Sequence, residues 1–347
     1  MIKGFWETLK KPIIGLSPMD GVTDAAFRFI VDKYGKPDIL FTEFTSVEGI
    51  THGAHQLLEA FIHHVTPTPT VAQIFGSDPK AFYKVAFILG EMGFDGIDIN
   101  MGCPDPHVAK KGGGAALILR PSLAQEIVRE TRRGTQDWAN GRKIGDTGLK
   151  NSVIDFVKDF QTKFSLQPTL RELPVSVKTR IGYDKIVTAE WIQQLLEVEP
   201  VNISLHGRTL KQLYSGNSDW EEIGKASLLT KKTATTLLGN GDIRSMEDAL
   251  HKIKTYGVDG VLIGRAAFGN PWIFKNETAT LEQKFSTALE HCAVFDELTP
   301  KAHFLSLRKH LAWYCKGFDG AAETRAKLLQ INTLKDVEQI LRNVTTE

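Results

Sequence analysis

The chain has 347 residues, 42% of them hydrophobic and 24% charged, with a formal net charge of +1 and a mean hydropathy of −0.16. That length allows one large domain with a substantial core and a smaller domain beside it. The composition excludes a disordered or fibrous chain, and the near-neutral charge excludes a uniformly basic nucleic-acid binder while leaving room for a local basic patch. Short apolar β-rich runs then recur over the first 270 residues: "PIIGLSPM" (12–19), "DILFTEF" (38–44), "TVAQIFG" (70–76), "GIDINMG" (96–102), "PVSVKTR" (174–180), "VNISLHGR" (201–208), "TTLLGNGD" (235–242) and "GVLIGRA" (260–266). Most are continuous in apolar residues rather than alternating, as parallel strands buried on both faces require. Helical segments are predicted between them, at 78–93 (Asp78 to Gly93), 122–134 (Ser122 to Gly134) and 245–257 (Ser245 to Gly257), each opened by a capping residue and closed by glycine. Eight strands alternating with helices predict an α/β fold, a (β/α)8 TIM barrel over residues 1–275.

Two departures from this rhythm stand out. Residues 134–172 are longer than a βα or αβ connection and read as an inserted loop with an extra helix near 151–164. After about residue 275 strand signals stop, and 276–347 reads as a small helical domain. Its stretch 301–327 carries six basic residues (Lys301, Arg308, Lys309, Lys316, Arg325, Lys327) against Asp319 and Glu323, with His310, Trp313 and Tyr314 among them. That pattern is either a solvated helix face with core aromatics or an RNA-facing surface. No apolar run is long enough for a membrane span, and the N-terminus lacks a signal-peptide core. The three cysteines, Cys103, Cys292 and Cys315, have no regular spacing, so a reducing, cytoplasmic setting without disulfides is expected.

Chemistry in a TIM barrel gathers at the C-terminal strand ends. The eight runs deliver Pro18, Met19 and Asp20; Glu43; Gln73; Asn100 and Cys103; Lys178 and Arg180; His206 and Arg208; Asn240, Gly241 and Asp242; Gly264 and Arg265. The small residues and guanidinium after the seventh and eighth strands point to a phosphate site. Lys178 can place positive charge against an electron-rich ring and Gln73 can hydrogen-bond a ring edge. Phosphate at one end and a polar-edged ring at the other is what flavin mononucleotide (FMN) needs. No G-x-G-x-x-G opens a βαβ unit, and "KGGGA" (111–115) is not a P-loop. The densest histidine group, His52, His55, His63 and His64, has Glu59 as its only nearby carboxylate and reads as an ordinary polar helix face, so no metal site is expected.

The successive stretches "SPMDGVTDAAFR", "NMGCPDPHVAKKGGGAAL", "SVKTRIG", "HGRTLKQLYSG", "GNGDI" and "IGRAAFGNPW" resemble, in order, the signatures of the tRNA-dihydrouridine synthases; "RKHLAWYCKGFDGAAETR" (308–325) resembles the basic helical segment of their bacterial B-type branch. The resemblance implies an FMN enzyme that reduces the C5–C6 bond of uridine in tRNA, with NADPH or NADH as reductant and Cys103 as the proton donor. An ordinary thiol, pKa about 8.5, is mostly protonated at neutral pH. By the same resemblance Pro18, Met19 and Asp20 lie along the flavin; Gln73 and Lys178 contact its ring; His206 lies near the flavin and the RNA. Asn240, Gly241, Asp242, Gly264 and Arg265 cradle its phosphate, and Asn100 and Arg180 line the uracil pocket. A monomer without an obligate protein partner is implied. From charge and position, Lys110, Lys111, Lys309, Lys316 and Arg325 are candidate RNA contacts. Asp20 departs from the small residues common there in the family. The rivals are an FMN barrel oxidoreductase acting on ribosomal RNA uridine or a free pyrimidine, which in the free-pyrimidine case needs no basic helical domain, and a non-catalytic RNA-binding protein retaining flavin.

Overall fold

The computed structural model describes residues 2–63, 66–213, 215–299 and 304–345; Lys301, His64 and Tyr214 lie outside them. Eight strands form one parallel sheet: β1 (Ile13–Leu16), β2 (Leu40–Ser46), β3 (Thr70–Phe75), β4 (Gly96–Met101), β5 (Val175–Gly182), β6 (Asn202–Thr209), β7 (Thr236–Asn240) and β8 (Gly260–Ile263). Each pairs with its sequence neighbour from β2 to β8, and β1 pairs with β8 in the register Ile13–Gly260 to Leu16–Ile263. The Leu16 amide donates to the Ile39 carbonyl at 3.0 Å and the Asp38 amide to the Ile14 carbonyl at 2.9 Å, which closes the sheet between β1 and β2. The barrel is therefore the TIM barrel that the eight apolar runs predict.

Helices α1 (Ala25–Gly35), α2 (Val47–Thr51), α3 (Pro79–Glu91), α4 (Pro106–Lys110), α5 (Pro121–Ala139), α6 (Asn151–Lys163), α7 (Thr188–Leu196), α8 (Trp220–Thr230) and α9 (Met246–Tyr256) accompany the barrel. Asp78 and Ser245 cap where the sequence places them, Asp78 Oδ1 accepting from the Lys80 amide at 3.0 Å and Ser245 Oγ from the Asp248 amide at 3.1 Å, and Gly257 ends α9 at φ +65°; Ser122 does not cap α5, which begins at Pro121 without a side-chain cap. Trp6, in a short 3-10 turn before β1, joins Ile13, Ile39, Phe41, Val71, Val201, Leu238 and Leu262 in a cluster at the N-terminal strand ends. That end is filled with apolar side chains, so the open end is the opposite one.

Two boundaries differ from the sequence expectation. Gly134 does not end α5, which runs to Ala139; a Cβ on Gly134 would collide with the Tyr83 carbonyl and the Ala86 Cβ, so this glycine serves the close approach of α3 and α5. The second is the long connection: the extra helix expected near 151–164 is there as α6, but it packs on α3 and on the 3-10 turn His55–Phe61 instead of standing in a free loop. His63, expected on a polar face, is buried there, its ring 4.4 Å from that of Phe94 and 5.5 Å from that of Phe160. His52 and His55 are exposed, and no group of three potential metal ligands occurs among the described residues.

Helices α10 (Leu281–Leu298), α11 (Arg308–Tyr314), α12 (Ala321–Leu328) and α13 (Leu334–Thr345) share a separate apolar cluster that includes Phe285, Leu311, Tyr314, Ile331 and Val337, with Ala26 of α1 as its barrel member. Between α12 and α13 the Asn332 and Thr333 amides donate to Asp336 Oδ2 at 2.8 and 2.9 Å, which starts α13 as a separate helix. No helix among the described residues is long and apolar enough to cross a membrane.

Candidate active site

The open end of the barrel holds a cavity of about 1090 Å3, lined from the strand ends by Pro18, Met19, Asp20, Gln73, Asn100, Cys103, Lys178, Arg180, His206, Asn240, Gly241, Asp242, Gly264 and Arg265. All fourteen barrel residues nominated as cofactor, catalytic or uracil contacts meet in this one space. Glu43 does not line it; Phe44, the next residue on β2, does. Burial raises the Glu43 carboxyl to about 7, and Arg28 beside it, itself lowered to about 10 by burial, belongs with it under the cavity wall.

A buried polar chain positions Cys103. Asp98 Oδ1 accepts from Ser176 Oγ at 2.5 Å and Asp98 Oδ2 accepts from Gln73 Nε2 at 2.6 Å. Gln73 Oε1 accepts from Asn100 Nδ2 at 2.9 Å, and Asn100 Oδ1 accepts from the Gly102 and Cys103 amides at 3.0 and 2.8 Å. Three strands, β3, β4 and β5, thus fix one thiol in the turn after β4 through side chains that are themselves satisfied. Burial comes first in raising the Cys103 thiol above its ordinary value, and Asp105 and Asp20 add to it by charge repulsion. The Gly-rich run after Cys103 packs rather than binds: Gly114 has φ +57°, and a Cβ there would stand 3.0 Å from the Cys103 carbonyl and 3.1 Å from its Cβ. Arg180 Nε donates to the Gly102 carbonyl at 2.6 Å and Arg180 Nη1 to the Thr209 carbonyl at 3.2 Å, which pins the thiol turn from β5.

Lys178 sits one alternation below Arg180 on β5, half-buried at the cavity, with no hydrogen bond or ion pair among the described residues; burial, and then the Arg180 charge, lower its ammonium to about 8. His206 is held well below its ordinary pKa by burial and by the surrounding cations, and its neutral Nε2 faces Arg208 Nη1 at 3.3 Å as the acceptor. Arg208, named at the sixth strand end but given no role by the sequence, is the hinge of this side. Its Nη2 donates to Asp242 Oδ2 at 2.6 Å and to the Gly216 carbonyl at 2.7 Å, while Asp242 Oδ1 accepts from Arg265 Nη2 at 2.8 Å. Burial pushes the Asp242 carboxyl up, but the Ser218 amide and Arg208 outweigh it and hold it low. Asp242 is therefore a charged brace for two guanidiniums rather than a phosphate contact through its own oxygens.

That corner fits a phosphate. Arg208 Nε is buried without a partner among the described residues. Gly241 has φ +125°, and a Cβ on it would strike Ser218 and approach His206, so the backbone there can come close to a ligand. Asn240 Nδ2 donates to the Leu262 carbonyl at 2.9 Å and ties β7 to β8 beneath it. The cavity volume exceeds the roughly 300–1,000 Å3 of a small-molecule site, as a cofactor and a substrate base together require.

The nominated RNA contacts lie outside this cavity. Lys110 and Lys111 are exposed at the outer end of α4, whose opposite end supplies Asp105 and Pro106 to the cavity wall. Lys316 is exposed; Arg325 is half-buried and donates from Nη1 to the Cys315 carbonyl at 2.7 Å. Lys309 is half-buried and reaches back to the barrel, with Nζ 3.1 Å from where a Cβ on Gly21 would stand. His310 and Tyr314 are core residues.

The family model of dihydrouridine synthases matches residues 15–139 and 151–347. Between the two matched stretches it passes over residues 140–150, which fall inside the segment 134–172. A probable tRNA-dihydrouridine synthase of Staphylococcus epidermidis is 34% identical over 98% of this chain and 96% of its own length. One of Staphylococcus aureus is 34% identical over 98% and 95%, and probable tRNA-dihydrouridine synthase 2 of Bacillus subtilis is 33% identical over 98% and 96%. Among solved structures, the crystal structure of DHODH in complex with ferulenol from Eimeria tenella aligns with a TM-score of 0.42 and 12% identity over 67% of this chain and 59% of that one, too distant to bear on the site. With the family model spanning both the barrel and the last helices, the chain belongs to the dihydrouridine synthase family.

Proposed function

We propose that the protein is a tRNA-dihydrouridine synthase that uses FMN and NADPH or NADH to reduce the C5–C6 bond of uridines in tRNA to 5,6-dihydrouridine. The observation that carries the reading is the Asn100 clamp on the Cys103 turn, which presents a single buried thiol to a cavity whose other side is cationic. Arg208, Arg265 and the Gly241 and Gly264 backbone would hold the FMN phosphate; Lys178, Gln73 and Met19 would lie against its ring, with the second N–H of Gln73 Nε2 left for a ring edge. Bound there, the flavin supplies hydride to uridine C6. Cys103 gives its proton to C5, and its raised pKa keeps that proton on sulfur at neutral pH. Asn100 and Arg180 orient the uracil and the thiol turn relative to each other. The cations Lys178 and Arg180 would stabilise negative charge that develops on the base.

The helical segment 276–347 is the RNA-binding domain of this reading, through Lys316 and Arg325, with Lys110 and Lys111 at the end of α4 as further contacts. The three free, buried thiols suit a reducing cytoplasm, and we take the protein to act there as a monomer. The test is nucleoside mass analysis of unmodified tRNA incubated with the purified protein, FMN and NADPH, beside Cys103→Ala. A two-hydrogen gain on uridine that the variant loses supports the assignment. Cofactor oxidation without that gain on tRNA points instead to ribosomal RNA or a free pyrimidine, and flavin binding without turnover to a non-catalytic RNA binder.

A further inference from the structure

A uridine inside folded RNA must leave its stack to reach a cavity at the mouth of a barrel. Resting on the reading above, this raises the question of what occupies the place it leaves. Among the described residues, Leu213 is the one exposed large hydrophobic that also lines the central cavity, and it is 48% exposed. It is also the one apolar non-glycine residue whose φ, +49°, falls in the left-handed region. A leucine avoids that backbone, and strain of this kind persists only where its surroundings impose it.

The surroundings do impose it. The Thr209 amide donates to Gln212 Oε1 at 2.7 Å, the Gln212 amide donates to Thr209 Oγ1 at 3.3 Å, and the Leu213 amide donates to the Leu210 carbonyl at 3.0 Å. Below, the Leu210 and Lys211 amides donate to the Gly182 and Tyr183 carbonyls of the β5 end, both at 3.0 Å. Burial cannot be the purpose of this bracing, because half of the side chain faces solvent. Lys211, exposed two residues before it, supplies a cation where a strand backbone would run. An apolar side chain braced at the lip of the central cavity, with a cation beside it, has the form of a residue that enters an opened base step.

We propose that Leu213 is the wedge that fills the gap left in the RNA stack by the extruded uridine, which makes the β6–α8 turn a strand-opening element. The experiment compares the FMN-loaded wild type with Leu213→Ala and Leu213→Gly on unmodified tRNA. Dihydrouridine formation at saturating tRNA is expected to fall tenfold or more in both variants. Their tRNA dissociation constants are expected to stay within threefold of wild type and their flavin content unchanged. Leu213→Gly, freed of the left-handed leucine, is expected to melt no lower than wild type. Wild-type turnover in both variants overturns the proposal. So does a loss of rate that follows lost flavin or a lowered melting temperature, which makes the leucine a structural support, or one matched by the loss of affinity, which makes it a ground-state contact. If the wild type itself leaves tRNA uridine unchanged, the functional reading fails, and that outcome is distinct from the others.

Discussion

Trp313 lies flat on Phe268, with ring centroids 4.0 Å apart and 12° between the planes, and Phe268 lines the central cavity. Two more residues of α11 touch the same end of the barrel: Lys309 reaches Gly21 beside Asp20, and His310 Nε2 stands 3.6 Å from Asp24 Oδ2. The helical segment therefore leans on the loops after β1 and β8, both of which form cavity wall.

Trp313→Ala removes the stack and is expected to cost about 2 kcal/mol, less than a fully buried Trp→Ala because Trp313 is half-buried. The same variant is expected to lower the rate of dihydrouridine formation, since Phe268 loses the ring that positions it. Denaturant midpoints and single-turnover rates read both. A variant with an unchanged midpoint would show that the stack carries no load.

Cys103→Ala is expected to keep wild-type flavin content and stability while dihydrouridine formation falls by about a hundredfold or more, the range of a lost general acid. The sign of the pH effect follows from burial. The donor must be protonated, and its folded pKa lies above the ordinary thiol value. The wild-type rate should therefore hold level through neutral pH and fall only above the ordinary thiol pKa. Rates measured against pH, with flavin occupancy checked at each point, would expose the opposite case if the rate began to fall at or below neutrality.

Lys316→Glu and Lys309→Glu are expected to separate cleanly. Lys316 is exposed, so its reversal should weaken tRNA binding and make the slope of log K against log salt shallower by about one. Lys309 is half-buried against Asp20, whose carboxyl burial already raises and the Lys309 charge lowers. A glutamate there places like charges together and is expected to cost about 1–2 kcal/mol of stability. A shift of one in the salt slope by Lys309→Glu with no change in stability would reassign it as a direct phosphate contact.

The barrel was legible because parallel strands buried on both faces leave continuous apolar runs, and the cavity was legible because each run ends in its polar residues. Boundaries were less so. Gly134 reads as a helix end, yet its reason is the Tyr83 backbone, a contact from a distant segment that no local pattern encodes. His63 reads as polar, yet Phe94 and Phe160 bury it. Arg208 was visible at its strand end, but its role depends on Asp242 at the end of the neighbouring strand, 34 residues later in the chain. Leu213 carried no signal at all: its left-handed backbone comes from hydrogen bonds to β5, and only the three-dimensional turn shows it.

The joint between the barrel and the last helices is expected to weaken in acid. His291 and His310 meet edge to face with centroids 5.1 Å apart, packed on Phe27 of α1, and Tyr314 Oη lies 3.2 Å from His291 Nδ1. Burial, followed by the charge of the other histidine on His291 and of Lys309 on His310, lowers both to about 3, and the Asp24 carboxylate offsets this only in part for His291. In the unfolded chain both take up protons near pH 6.5. The folded pKa values are thus depressed, the unfolded state binds more protons between about pH 6.5 and 3, and stability rises with pH across that window. The contribution is complete above pH 6.5 and shrinks as pH falls towards 3. At pH 5 each histidine should cost roughly 1–2 kcal/mol relative to pH 7. Amide hydrogen exchange should show α10–α13 opening before the barrel strands, because the strain sits in their joint. His310→Phe is expected to remove about half of the pH slope. If the protection factors of α10–α13, each taken against the intrinsic exchange rate at its own pH, are the same at pH 7 and pH 5, the imidazoles are already charged in the fold, and the Asp24–His310 contact is an ion pair rather than a neutral packing contact.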